Sequence, residues 1–271
     1  MPSERGLAVE AARRPIAFRG GGFALKPKRW ASWIAFAAVL ALWQAAVGLR
    51  ILDPIFLPSP WTILLALQHL VVTGDIWRHL AASLSRILAG WTLGTATGLV
   101  FGLAVGLFSL TRAVGVPVIS ALFPVPKIAL LPLLILWLGI GETSKVATIA
   151  LGVFFPTAIA TYSGIDSVPV SLVRMGQSFG LPFHDIVRKI VLPGALPSIL
   201  AGFRISAATA LLLVVAAEMI GAQVGIGAFV LTAGNLMQTD QLMAGVVVLS
   251  ILGLVIGTLL SALERWLLRW R

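Results

Sequence analysis

Ionisable side chains are scarce in this sequence, so those inside apolar stretches are the first candidates for chemistry. Lys127 follows Phe123-Pro124-Val125-Pro126. Prolines free backbone carbonyls from helical pairing, and an ammonium beside them could draw an anion into a path. The alternative is a lysine that snorkels to a nearby interface. Glu218 lies in Ala216-Ala217-Glu218-Met219-Ile220-Gly221. A carboxylate does not suit an anionic ligand, so Glu218 suits an outer gate or a hydrogen bond to a neighbouring helix.

Neither residue belongs to a catalytic constellation. An enzyme working at membrane depth needs a nucleophile with a base, or a set of metal ligands. The histidines are His69, His79 and His184, and none falls in an expected span. Cysteine is absent, so no thiolate metal site is available. A phosphate-cradling loop reads G-x-x-x-x-G-K-[ST], and Gly139-Ile-Gly-Glu-Thr-Ser-Lys145 does not match it. The expectation is a protein without catalytic residues, metal or cofactor of its own.

Composition says what must position these residues. Of 271 residues, 59% are hydrophobic and only 11% charged, against about a quarter charged in soluble domains. The mean hydropathy is +1.01. Long continuous apolar runs select helices over a barrel as membrane-crossing elements. Six stretches reach the required length: 31–49, 87–110, 115–138, 145–165, 198–221 and 242–262. Pro124, Pro126 and Pro132 predict a kink or break in the third. The first lacks a small-residue cleavage end and is read as a retained span. Gly94, Gly98, Gly102 and Gly106 recur on the second, a spacing that permits close helix approach within or between subunits.

The charge of +10 does not indicate nucleic acid, because no basic patch is interleaved with aromatics. The cations cluster instead. With the N-terminus inside, fourteen Lys and Arg fall in cytoplasmic pieces and four outside, which puts both termini in the cytoplasm. The organisation expected is a basic tail over 1–30, a transmembrane domain over 31–265 and a short C-terminal tail over 266–271. Ser59-Pro60 predicts the start of a short helix from Trp61 to Val72, ended by Gly74-Asp75. Trp77 and Trp91 suit a headgroup-level belt.

Residues 166–197 are too polar to span and too patterned for a plain connector. Pro169 can open a helix carrying Leu172, Met175, Gly176 and Phe179 at helical spacing. Gly180 suits a left-handed helix end and Pro182 the first position of the next. There Phe183, Ile186, Val187, Ile190 and Val191 share one face, with His184, Asp185, Arg188 and Lys189 opposite, and Pro193 is expected to stop the helix. Such a helix–turn–helix either lies on the membrane surface or docks a partner protein.

This loop resembles the signature loop of ABC importer permeases: Glu-Ala-Ala, three residues, Gly, nine residues, Ile, one residue, Leu-Pro. Gly180, Ile190, Leu192 and Pro193 fit it in spacing and identity. Arg174-Met175-Gly176 stands in place of Glu-Ala-Ala, and small Gly176 still permits close helix packing. LPSPWTILLAL, WRHLAASLSRILAGW, PLLILWLGIGETSK and VLPGALPSILAGFRISAATALLLVVAAEMIGA are similar to the nitrate/sulfonate/taurine-type branch. The resemblance covers residues 50 to 265. It implies an all-α, type I permease fold of about six spans in a bacterial inner membrane, paired with a second permease copy. It also implies cytoplasmic ATPase subunits that bind ATP and a periplasmic substrate-binding protein. The docking residues it implies are Gly176, Gly180, Leu181, Pro182, Phe183, His184, Asp185, Ile190, Leu192 and Pro193. Lys127 and Glu218 are assigned to the substrate path or gate from their own setting in or near the spans. The solute implied is a small anion such as a sulfonate, taurine or nitrate, or else a non-anionic small nutrient. A secondary transporter is the rival class; it would need no docking hairpin and would usually show inverted repeats.

Overall fold

The structure is a computed structural model and describes residues 29–270. The basic tail up to residue 28 therefore lies outside the described residues. Helix α1, Arg29–Gly48, is 20 residues long, about the 30 Å of a bilayer core. Its side chains are largely exposed, Trp33 and Leu42 among them, as suits a helix solvated by lipid.

Among the described residues, the chain from residue 52 onward builds nine further helices. They are α2 (Pro60–Thr73), α3 (Asp75–Leu107), α4 (Ser109–Leu122), α5 (Leu131–Leu138), α6 (Glu142–Asp166), α7 (Val170–Ser178), α8 (Phe183–Gly221), α9 (Ile226–Asn235) and α10 (Thr239–Leu267). There is no strand among the described residues. Five helices are long and apolar enough to cross a membrane, and α4 with the Lys127–Leu138 segment, bent by 87° at its break, makes a sixth if the pair is counted as one span. Five of the six expected spans are each matched by a helix, and the third by this bent pair, whose break lies at Pro124 and Pro126.

Local chemistry accounts for the boundaries. Ser59 accepts the Thr62 N–H at 3.2 Å with Pro60 in the first turn, as the sequence predicts for α2. Gly74, at φ 85°, ends α2 and starts α3 without a linker. Helix α3 therefore begins twelve residues before the expected span, and His79, Ser83 and Arg86 are helical.

Helices α3 and α6 form the tightest seam. The glycine stripe faces α6 of the same chain: a Cβ on Gly94 would stand 2.4 Å from the Ala150 carbonyl, and one on Gly98 2.6 Å from that of Phe154. Where lipid is as apolar as the side chains, such backbone approach is what makes helices adhere. Ile87, Ile149, Val153, Ala210, Val214 and Leu252 then join α3, α6, α8 and α10 in one buried cluster. Trp91 packs against this core and donates to Ser206 Oγ at 3.0 Å. It is not a belt residue, because an indole N–H inside a bundle needs an acceptor there. Trp77 stays exposed.

Pro193 does not stop the second loop helix. Helix α8 runs on to Gly221, with a π turn over Val187–Val191 immediately before the proline. A proline removes one N–H and crowds the carbonyl four residues back; widening that turn relieves both.

Candidate functional site

Two constellations stand out, one at each end of the bundle. The first is the hairpin of α7 and the start of α8. Helix α7 closes in a Schellman pattern, in which the N–H of Leu181 donates to Gly176 O at 3.1 Å and that of Gly180 to Gln177 O at 2.9 Å. Gly180 takes the left-handed conformation, φ 73°. Pro182 lies one residue ahead of the first helical position, Phe183. A Cβ on Gly176 would meet Ile190 Cδ1 at 2.9 Å and Leu181 Cδ1 at 3.5 Å, so the two arms pack through this glycine.

The hairpin buries Ile186 and Val191 but displays a ridge. Val170, Met175, Phe179 and Phe183 are exposed, Phe179 at 78% and Phe183 at 58%. Phe183 also leans on Phe108, with ring centres 6.1 Å apart, which connects the hairpin to the α3–α4 junction. On the polar side Asp185 accepts from Lys189 at 3.0 Å, and His184 projects outward beside Asp185. Leu192 and Pro193 belong to α8 behind the turn.

At the opposite end, Glu218 of α8 is fully buried. Ser83 Oγ donates to it at 2.8 Å, Arg86 Nη1 at 2.7 Å and the Gly227 N–H at 2.9 Å. Arg86 Nη1 also reaches Val224 O at 2.6 Å. The rest of the Arg86 fork grips Glu142 at the start of α6, Nε to Oε2 at 2.5 Å and Nη2 to Oε1 at 2.7 Å. Ile226 N–H donates to Ser83 Oγ at 2.9 Å, and Gly225 N–H to His79 Nδ1 at 3.1 Å. Lys145, also buried, lies 3.6 Å from Glu142. Buried Arg86 and Lys145 thus face buried Glu218 and exposed Glu142, so that each buried charge of this cluster is paired. Three helices and the loop ahead of α9 are fastened at one point.

Glu218 therefore hydrogen-bonds neighbouring elements, one of the two roles its sequence setting suggests. Arg86 and Glu142 escape a reading by spans, because Arg86 stands at the edge of an apolar run. The signal that could have found Arg86 is helical spacing: His79, Ser83, Arg86 and Gly90 lie on one face of α3.

Lys127 bonds to neither constellation. Its ammonium donates to Leu122 O at 2.9 Å, Phe123 O at 2.7 Å and Val125 O at 2.6 Å, and stands 4.3 Å from the centre of the Phe155 ring. All three protons go to carbonyls at the break between α4 and α5, where Leu122 O also accepts the Val125 N–H at 3.2 Å. Among the described residues no group of three or more His, Cys, Asp and Glu is placed to hold a metal ion.

Residues 94–271 match the family described as the binding-protein-dependent transport system inner membrane component. The chain belongs to that family. It is an all-helical, multi-pass inner-membrane permease of an ABC importer. It is 37% identical over 235 residues to the putative aliphatic sulfonates transport permease protein SsuC of Bacillus subtilis (strain 168), spanning 87% of this chain and 85% of that one. The taurine transport system permease protein TauC of Escherichia coli (strain K12) is 38% identical over 239 residues, 86% and 87% of the two chains. The inward-facing MetNI methionine ABC transporter shares the fold, with a TM-score of 0.61 at 22% identity over 71% of this permease and 95% of that chain.

Proposed function

We propose that this permease forms the translocation path for a small organic sulfonate, with ATP hydrolysis on separate subunits that dock at the α7–α8 hairpin. The observation that carries the docking reading is the exposed apolar ridge of Phe179 and Phe183 on a turn fixed by Gly180. A rigid turn bearing aromatic anchors suits insertion into a groove of a partner protein. The N-terminus, the hairpin and the C-terminus then face the cytoplasm, where ATP is, as the distribution of Lys and Arg favours.

The solute class is supported by the similarity to the sulfonate and taurine permeases over nearly the whole chain. Delivery from outside by a soluble binding protein, and pairing with a second permease copy, complete the reading. In it Glu218 with Arg86 and Glu142 braces the outer end of the bundle and the loop before α9. Lys127 fastens the bend between α4 and α5, and its charge lies beside the path instead of binding the solute.

The test is sulfur supply. In a host stripped of its own sulfonate importers, the permease with its cognate ATPase and binding protein should support growth on taurine or an alkanesulfonate as sole sulfur source, and uptake of labelled compound. Growth on neither, with the complex assembled, would remove the sulfonate assignment.

A further inference from the structure

A basic pocket and an apolar groove share one residue, Arg204, on one face of α8 and α10. The groove, about 330 Å³, runs along both helices and is lined by Ala207, Leu211, Gly253, Ile256, Gly257 and Leu260. It has an open floor: a Cβ on Gly257 would meet nothing within 4 Å. The pocket at its end is formed by Arg204, Ser261, Glu264, Arg265 and Leu268.

The charges there are not balanced. Arg204 Nη2 hydrogen-bonds Glu264, and this is the one hydrogen bond that the guanidinium makes among the described residues. Its other donors are uncommitted. Arg265 lines the same pocket and has no ion-pair partner among the described residues. Exposed Trp266 and Trp270 flank it one turn apart, which marks this end of α10 as headgroup level.

We propose that this face holds one anionic phospholipid, with its phosphate at Arg204 and Arg265 and one acyl chain in the groove between α8 and α10. The occupant must be narrow and apolar along its length and anionic at its end. Among the described residues, a second copy of this chain has no uncommitted carboxylate to offer at this end: Asp166, Asp185 and Glu264 already face Arg112, Lys189 and Arg204. The inference rests on the inner-membrane placement of the permease and not on its solute.

The experiment uses the full chain in detergent, titrated with phosphatidylglycerol or phosphatidylcholine and read by native mass spectrometry. The wild type should retain one phosphatidylglycerol per chain, in preference to phosphatidylcholine. Replacing both Arg204 and Arg265 by Gln should weaken that preference about tenfold. Gly257→Leu, which fills the groove without an internal clash, should lower retention of both lipids. Leu254→Trp, on a lipid-facing position outside the groove, should leave retention unchanged and show that the fold tolerates a large residue on α10. Equal retention of the two lipids by the wild type would overturn the proposal. So would displacement of phosphatidylglycerol by octanesulfonate at equal concentration, which would make the groove a solute site. A change of oligomeric state in Gly257→Leu, with lipid retention intact, would assign the face to a second copy.

Discussion

Gly225 and Glu218 are packed so closely that a Cβ on the glycine would stand 2.3 Å from the carboxyl carbon of the glutamate. Gly225 also has φ 145°, a conformation that side-chain-bearing residues rarely adopt. The loop Ala222–Gly225 can wrap the buried carboxylate only because this position lacks a side chain. Gly225→Ala is expected to lower stability in detergent by about 1–3 kcal/mol, the range for overpacking. In a Glu218→Ala background the added cost should shrink, since the two residues are coupled. An equal loss of melting temperature in both backgrounds would show that the contact does not matter.

Arg86 holds Glu218 and Glu142 with separate faces of one guanidinium. Arg86→Leu leaves Glu218 buried without its counter-ion and should cost about 3–5 kcal/mol. Arg86→Lys keeps the charge but cannot grip Glu142 with two parallel bonds, so its stability should lie between those of the wild type and the leucine variant. The check is thermal unfolding of the purified variants, followed by the fraction of chain recovered in the membrane. A lysine variant as unstable as the leucine variant would mean that the geometry of the fork, and not its charge, carries the effect.

Lys127 serves the bend between α4 and α5 through three carbonyls. Lys127→Met keeps the length of the side chain and removes all three bonds, each worth about 1.5–3 kcal/mol when charge-assisted. Stability should fall, and the KM for solute should stay near wild type in whatever fraction assembles. A raised KM with unchanged stability would instead make Lys127 a contact for an anionic solute.

Much of this architecture is legible in the residue pattern, for reasons that are local. A 20-residue apolar run, a Ser-Pro helix start and a glycine that must turn left-handed at position 180 each act within a few residues. The glycine stripe is legible as a close approach, but its partner α6 is not. The buried cluster is least legible of all. Arg86 meets Glu142 and Glu218 across long stretches of chain, and this pairing lets α3 begin at Asp75 inside a stretch that composition assigns to the aqueous outside. Of the four cations assigned to the outside, Arg86 and Lys145 are buried. Pro193 misleads because the π turn over Val187–Val191 absorbs it, and nothing in the residue pattern announces such a turn.

The central claim is that the α7–α8 hairpin couples this permease to an ATPase, and one co-purification measurement addresses it most directly. Gly180→Val places a β-branched residue at φ 73°, in open space but at a backbone cost of about 1–2 kcal/mol. Phe183→Asp replaces an exposed aromatic anchor, a loss of about 2 kcal/mol or more at an interface, or roughly thirtyfold in affinity. Both variants should insert in the membrane normally. The ATPase retained on each purified variant, and its stimulation by solute-loaded binding protein in liposomes, should drop sharply. Full retention and full stimulation in both variants would contradict the claim and leave the hairpin a surface helix pair.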